Sequence, residues 1–181
     1  ADPTGRPLAL LTFLIDARNW PADPYPFKRT SLILHLVNGV LLALLLRRLG
    51  RSMRDVSPLR RDVAAVLGAA LWLLHPLFVS ATLYVVQREA MLPASFFLLG
   101  MIGWHTGRRR AAQGRRSGLL ICAASIGICT FLALLSKANG ALLPLLCWLV
   151  DAIMFAPALP IANARLHRHF AWMRRIVLIV P

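Results

Sequence analysis

The chain has 181 residues, of which 58% are hydrophobic, and its 21 Lys and Arg against 7 Asp and Glu give a formal charge of +14. With a mean hydropathy of +0.64, this composition excludes an ordinary soluble domain. Recurrent apolar stretches of about 18 residues or more predict membrane-spanning helices. Transmembrane β-strands are excluded because they would show short segments of alternating hydrophobicity. The sequence therefore predicts an all-α fold, a polytopic bundle of transmembrane helices.

The predicted elements divide the chain into an extracytoplasmic or interfacial segment, residues 1–26, and a transmembrane helical core, residues 27–181. The first segment is apolar to Ile15 and is then interrupted by proline and polar residues, so it predicts a short interfacial helix with Trp20 and Tyr25 at headgroup level. About five spans are predicted, with a sixth starting in the apolar residues after Arg175. They cover residues 27–46, 63–74 with a bend at His75-Pro76 towards Val86, 91–106, 118–135 and 141–155.

Basic residues alternate between the predicted loops. The loops after the first, third and fifth spans are rich in arginine, whereas those after the second and fourth hold only Arg88 and Lys137 as cations. The positive-inside rule therefore places the basic loops in the cytoplasm and residues 75–89 outside it. We expect an integral protein of the bacterial inner membrane, with membrane lipids as partners. Nucleic acid is not expected, because the arginines occupy short loops rather than one binding face.

Cysteine spacing offers no metal site. Cys122, Cys129 and Cys147 all lie inside apolar runs, which favours small buried residues over ligands or disulfides. No metal-ligating residues are predicted, and the sequence does not identify a cofactor. The chain begins at Ala1 without a methionine and ends in an apolar run, so we expect an internal fragment of a longer protein.

Charged residues beside a membrane span are costly to place there, and this makes them functional candidates. The sequence Gln87-Arg88-Glu89 separates the second and third spans, and Lys137 lies in the short turn after the fourth. A cation on the outer side opposes the topology signal, so Arg88 and Lys137 are candidates for holding a phosphate or carboxylate. Contact with lipid headgroups is the alternative for each cation. Asp151, late in the fifth span, is interpreted as a residue of the bundle.

Polar residues within or at the end of spans form a second group. His35 and Asn38 are three residues apart and share one helix face, which suits either hydrogen bonding between helices or a polar cavity. His75 lies at the outer end of the second span, where a structural role and a role in orienting a ligand both remain open.

Four strings in this order resemble the C-type glycosyltransferase superfamily, in particular bacterial relatives of the protein O-mannosyltransferases that bear tetratricopeptide repeats, and pilin glycosyltransferases. They are RPLALLTF at 6–13, LILHLVNG at 32–39, LLHPLFVSATLYVVQRE at 73–89 and LLSKANGALLPLL at 134–146. The chain departs from the family pattern at Ser80 and Ala138, where acidic residues are expected. It also departs at Lys28 and Ser31, where the family has His and Asn.

The resemblance implies an enzyme that transfers a sugar from a polyprenyl-phosphate carrier to a hydroxyl of a protein or glycan acceptor outside the cytoplasm. Its catalytic carboxylate would precede Ala1. In this chain Arg88 and Lys137 would hold the carrier phosphate, assisted by Arg6. His75 and Gln87 would orient the donor or acceptor, and Glu89 is the candidate for acid/base help.

Two alternatives from other classes stay open. One is a non-catalytic membrane scaffold that anchors a soluble repeat domain. The other is a transporter or lipid-handling protein, which would have inverted repeats and broken helices meeting at mid-membrane. A paired-acid motif after an upstream span would favour the enzyme over the scaffold.

Overall fold

A computed structural model describes residues 6–17, 21–51, 56–155, 161 and 164–179. Every regular element in these ranges is a helix, which confirms the predicted all-α class. The α-helices are α1 Pro7–Asp16, α2 Pro24–Gly50, α3 Pro58–Leu73, α4 Val79–Leu83, α5 Arg88–Ala112, α6 Ser117–Ser136, α7 Leu143–Val150 and α8 Ala164–Ile179. Tighter turns lie at Pro76–Phe78, Val85–Gln87 and Ala138–Leu142, and α7 continues into a π-helical turn at Asp151–Phe155. Trp20 lies outside the described residues.

Proline and side-chain caps explain where several helices begin. Pro7, Pro24 and Pro58 each occupy a first turn, where the missing backbone donor costs least. The Asp23 carboxylate accepts a hydrogen bond from the Tyr25 backbone N–H at 3.0 Å, which caps α2. These signals are local, and the helices at the first four predicted spans begin within about five residues of their predicted starts.

Three helical segments are long and apolar enough to cross a membrane: Pro24–Gly50, Val85–Ala112 and Ser117–Ser136. A fourth candidate is the pair Pro58–Leu73 and Pro76–Leu83, whose axes differ by 51°. These helices are consistent with the predicted membrane protein. The break of 51° coincides with the bend predicted at His75-Pro76, where proline interrupts backbone hydrogen bonding. The predicted fifth span corresponds to a shorter apolar helix, Ala138–Met154. The predicted start of a sixth span forms the end of α8, which begins earlier, at Ala164.

Helices α2 and α5 run parallel. Near their beginnings the Arg88 guanidinium reaches the Phe27 carbonyl, and near their ends Arg48 donates to the Thr106 hydroxyl at 2.7 Å. Consequently the arginine-rich ends of α2 and α5 lie at one end of the bundle, which we name the basic end. The beginnings of α2 and α5 lie at the other, together with α1 and the end of α6, and we name it the α1 end.

Which end faces the cytoplasm can be tested with introduced cysteines. We expect a membrane-impermeant thiol reagent to label Asn139→Cys in intact cells but Arg116→Cys only after permeabilisation, because the basic end should be cytoplasmic. Both positions are exposed, whereas native Cys122 and Cys147 are buried and Cys129 is partly buried, so background labelling should be low. The opposite labelling pattern would reverse the predicted orientation.

Candidate functional site

The α1 end contains a buried arginine, Arg88, in the first turn of α5. Its side chain is 0% exposed, and its Nη2 lies 2.6 Å from a carboxylate oxygen of Asp16 at the end of α1. The guanidinium also donates to the carbonyl oxygens of Thr12 at 2.9 Å and Phe27 at 2.8 Å. It lies 5.0 Å from the centre of the Phe13 ring, within the range of a cation–π contact. Arg88 therefore joins three helices, α1, α2 and α5, through one charged group.

A second ion pair connects α1 to α5. Arg6, which precedes α1, pairs with Glu89, which follows Arg88 directly. Adjacent residues on a helix point about 100° apart, so Arg88 and Glu89 reach different partners rather than each other. Since Arg6 precedes α1 and Asp16 is the last of its ten residues, the two pairs fix both ends of this short helix against the bundle.

Asn38 forms the polar contact deeper in the bundle. Its side-chain amide donates to the Met91 carbonyl at 3.0 Å, and its oxygen accepts from the Ser95 hydroxyl at 2.6 Å. Asn38 is fully buried, and a satisfied amide at such a depth stabilises contact between helices. These contacts match the first of the two predicted interpretations, hydrogen bonding between α2 and α5.

His35 packs against the bend that follows α3. Its Nε2 lies 3.1 Å from the Leu73 carbonyl oxygen, and its ring centre is 5.0 Å from that of Trp72 and 5.9 Å from that of Phe78. The bend leaves carbonyl groups at the end of α3 without helical partners, and a buried imidazole satisfies one of them. His35 and Asn38 share a helix face as predicted but contact different helices.

His75 and Gln87 are both exposed at the α1 end. His75 caps the turn that follows it, because its Nδ1 accepts from the Leu77 backbone N–H at 3.3 Å. Gln87 ends the short turn before α5. Neither side chain is engaged deep in the bundle, so both remain available to a ligand at this surface.

Lys137 is partly buried, at the end of α6. Its backbone N–H donates to the Ala133 carbonyl and its own carbonyl accepts from Gly140, both at 2.8 Å. The turn is tight: a Cβ at Gly140 would lie 2.3 Å from backbone atoms of Ala133 and Leu134. The turn therefore fixes the Lys137 backbone. Among the described residues no carboxylate forms an ion pair with its ammonium group.

The sequence does not predict two residues that form buried ion pairs, Asp16 and Arg108. The sequence pattern marks Asp16 only as a helix-breaking residue and Arg108 as a loop residue. Arg108 is nevertheless 3% exposed, and its Nε lies 2.5 Å from Asp151. This second buried pair lies towards the basic end and supports the interpretation of Asp151 as a bundle residue. Within the described ranges no group of three or more His, Cys, Asp or Glu could hold a metal ion.

Comparison of the chain with protein-family models, curated proteins and solved structures found no match. Its functional assignment therefore depends on the chemistry of the α1 end. At that end two carboxylates are engaged with arginines and the His75 and Gln87 side chains are exposed. Among its cations outside any ion pair of the described residues, Lys28 and Arg29 are exposed and Lys137 is partly buried.

Proposed function

We propose that this chain is the membrane core of a glycosyltransferase that uses a polyprenyl-phosphate sugar at the α1 end, with Lys137 contacting the carrier phosphate. Lys137 carries the proposal, because Arg6 and Arg88 are both neutralised by carboxylates of the protein. A partly buried cation on a fixed turn can stabilise negative charge that develops on a leaving group.

The transfer would break the bond between the anomeric carbon and the phosphate oxygen. A bond forms between that carbon and the acceptor hydroxyl oxygen, and the hydroxyl proton passes to a carboxylate acting as general base. The carrier leaves as polyprenyl phosphate, whose new charge Lys137 would offset. Glu89 is 13% exposed and pairs with Arg6, so within this chain it is the acid/base candidate only if that pair opens.

The competing proposal is a non-catalytic scaffold. The ion pairs of α1 favour it, because they account for the charges of Arg6, Arg88 and Glu89 without any ligand. A cation at the end of a helix also stabilises that helix through its dipole, which gives Lys137 a structural alternative. The two functions therefore differ in what Lys137 contacts, and its substitution separates them.

In the full-length protein, Lys137→Ala should lower sugar transfer by roughly 100-fold, the scale of losing one charge-stabilising donor. Lys137→Arg should retain most activity because the charge is kept. Lys28→Ala is the matched control, since Lys28 is an exposed cation at the same end. The measurement is release of polyprenyl phosphate from a panel of polyprenyl-phosphate sugars in nanodiscs, with unfolding followed in parallel.

Two outcomes would count against the proposal. Unchanged transfer by a folded Lys137→Ala variant would remove Lys137 from the site. Absence of transfer by the unmodified full-length protein with every sugar and acceptor tested would favour the scaffold.

A further inference from the structure

A cavity of about 310 Å³ lies at the basic end, remote from the α1 end. Its wall includes His105 and five arginines: Arg48, Arg51, Arg109, Arg110 and Arg115. Arg48 belongs to the last residues of α2, and Arg51 follows α2 directly. His105 lies about two turns before the end of α5, Arg109 and Arg110 lie in its last turn, and Arg115 follows it. Because α2 and α5 are parallel, the bundle brings two arginine-rich segments, far apart in sequence, around one space.

The charge in this cavity is not balanced by the described carboxylates. Asp62 is engaged by Arg47 at 2.8 Å and Asp151 by Arg108 at 2.5 Å, outside the cavity wall. Like charges that converge on a concave surface repel one another and concentrate the local field, which favours binding of an anion. Guanidinium groups match phosphate in particular, because their planar donors can bind two phosphate oxygens at once.

One wall of the cavity is held in place. Arg48 donates from Nη1 to the Thr106 hydroxyl at 2.7 Å, and this hydroxyl donates to the Ile102 carbonyl at 2.8 Å. Arg48 is partly buried, whereas Arg51, Arg109 and Arg110 are exposed. The cavity thus combines one oriented guanidinium with several exposed ones, an arrangement that can close around a ligand.

The surface next to the cavity indicates a lipid rather than a soluble anion. Val40, Leu44 and Arg48 are spaced four residues apart on α2 and share one face. Val40 is 60% and Leu44 41% exposed, so an apolar strip extends from the arginines along a helix long enough to cross the membrane. Acyl chains can lie along such a strip while the headgroup enters the cavity, as in basic headgroup sites between transmembrane helices.

From this geometry we propose that the basic end binds the headgroup of an anionic lipid that carries two phosphates. The five guanidinium groups carry more positive charge than a single phosphate can neutralise. The volume equals roughly ten water molecules in the liquid and falls at the lower end of small-ligand sites, about 300–1,000 Å³. Two phosphates joined by a short linker would use both the charge and the space.

The proposal can be tested in nanodiscs of phosphatidylcholine containing the full protein. Small amounts of a two-phosphate lipid (cardiolipin) or of phosphatidylglycerol at equal total charge are added, and bound lipid is counted by native mass spectrometry. We expect saturable retention of the two-phosphate lipid. The double variant Arg51→Gln, Arg109→Gln should weaken its binding by about 30-fold, which corresponds to roughly 1 kcal/mol for each arginine removed.

The matched control is Arg60→Gln, Arg116→Gln. It removes the same charge from exposed positions that lie at the same end but do not line the cavity. Retained binding in this control supports the cavity, whereas an equal loss in both double variants would indicate general attraction by the basic surface and overturn it. Equal retention of phosphatidylglycerol would overturn the two-phosphate assignment. Displacement of the lipid by soluble pyrophosphate at similar concentrations would overturn the lipid assignment.

Discussion

Arg88→Met should lower the free energy of unfolding by about 3–5 kcal/mol, the cost of leaving a buried charge without its partner. The change removes the guanidinium 2.6 Å from the Asp16 carboxylate, which is itself only 8% exposed. It also removes the hydrogen bonds that Arg88 donates to the Thr12 and Phe27 carbonyl oxygens. Reversible unfolding in detergent micelles, followed by circular dichroism, measures the loss.

A double-mutant cycle separates the ion pair from the loss of packing. Asp16→Asn keeps an acceptor for the Thr30 hydroxyl, which donates to Asp16 at 2.9 Å. It also removes the carboxylate charge that Arg88→Met leaves unpaired. The double variant should therefore be less destabilised than the sum of the two single changes, by roughly 2 kcal/mol. Additive losses would show that Arg88 does not act through Asp16.

Arg47→Met provides the matched control at the surface. Arg47 forms a two-point pair with Asp62 at 2.8 and 2.9 Å, and both side chains are nearly half exposed. Water replaces such a pair at little cost, so the expected loss is about 1 kcal/mol or less. A loss at Arg47 equal to that at Arg88 would show that burial does not determine how much each pair stabilises the fold.

The sequence predicts that Arg88 binds an anion but does not determine which anion. An arginine on the outer side opposes the topology signal, and this predicts that it binds an anion. A phosphate and a carboxylate are equivalent partners for a guanidinium. Asp16 is 72 residues away in sequence, and only the packing of α1 across the beginning of α5 brings them together. Phosphate binding by Arg88 remains a prediction, and it requires this pair to open.

Helical periodicity in α5 identifies Arg108 as a buried residue. The apolar pattern predicts that the third span ends at residue 106, yet α5 continues to Ala112, so the following arginines are helical. Trp104, Arg108 and Ala111 recur at intervals of four and three and are all buried. A carboxylate at the end of an apolar helix requires a cation nearby, but composition alone does not distinguish the three consecutive arginines. The helix face that Arg108 shares with Trp104 identifies it as the buried arginine.

Gly118→Ala should separate the end of α5 from the beginning of α6. An ideal Cβ at Gly118 would lie 2.5 Å from the Ala111 backbone nitrogen and 2.6 Å from the Gly107 carbonyl oxygen, so backbone must move. Close approach at small residues is how transmembrane helices pack.

The expected loss is about 1–3 kcal/mol or more from overpacking. Gly127→Ala on the same helix is the control. A Cβ there meets no atom within 4 Å, so alanine should be neutral or stabilising by about 0.5–1 kcal/mol. Equal stability of the two variants in micelle unfolding would contradict this close contact between α5 and α6.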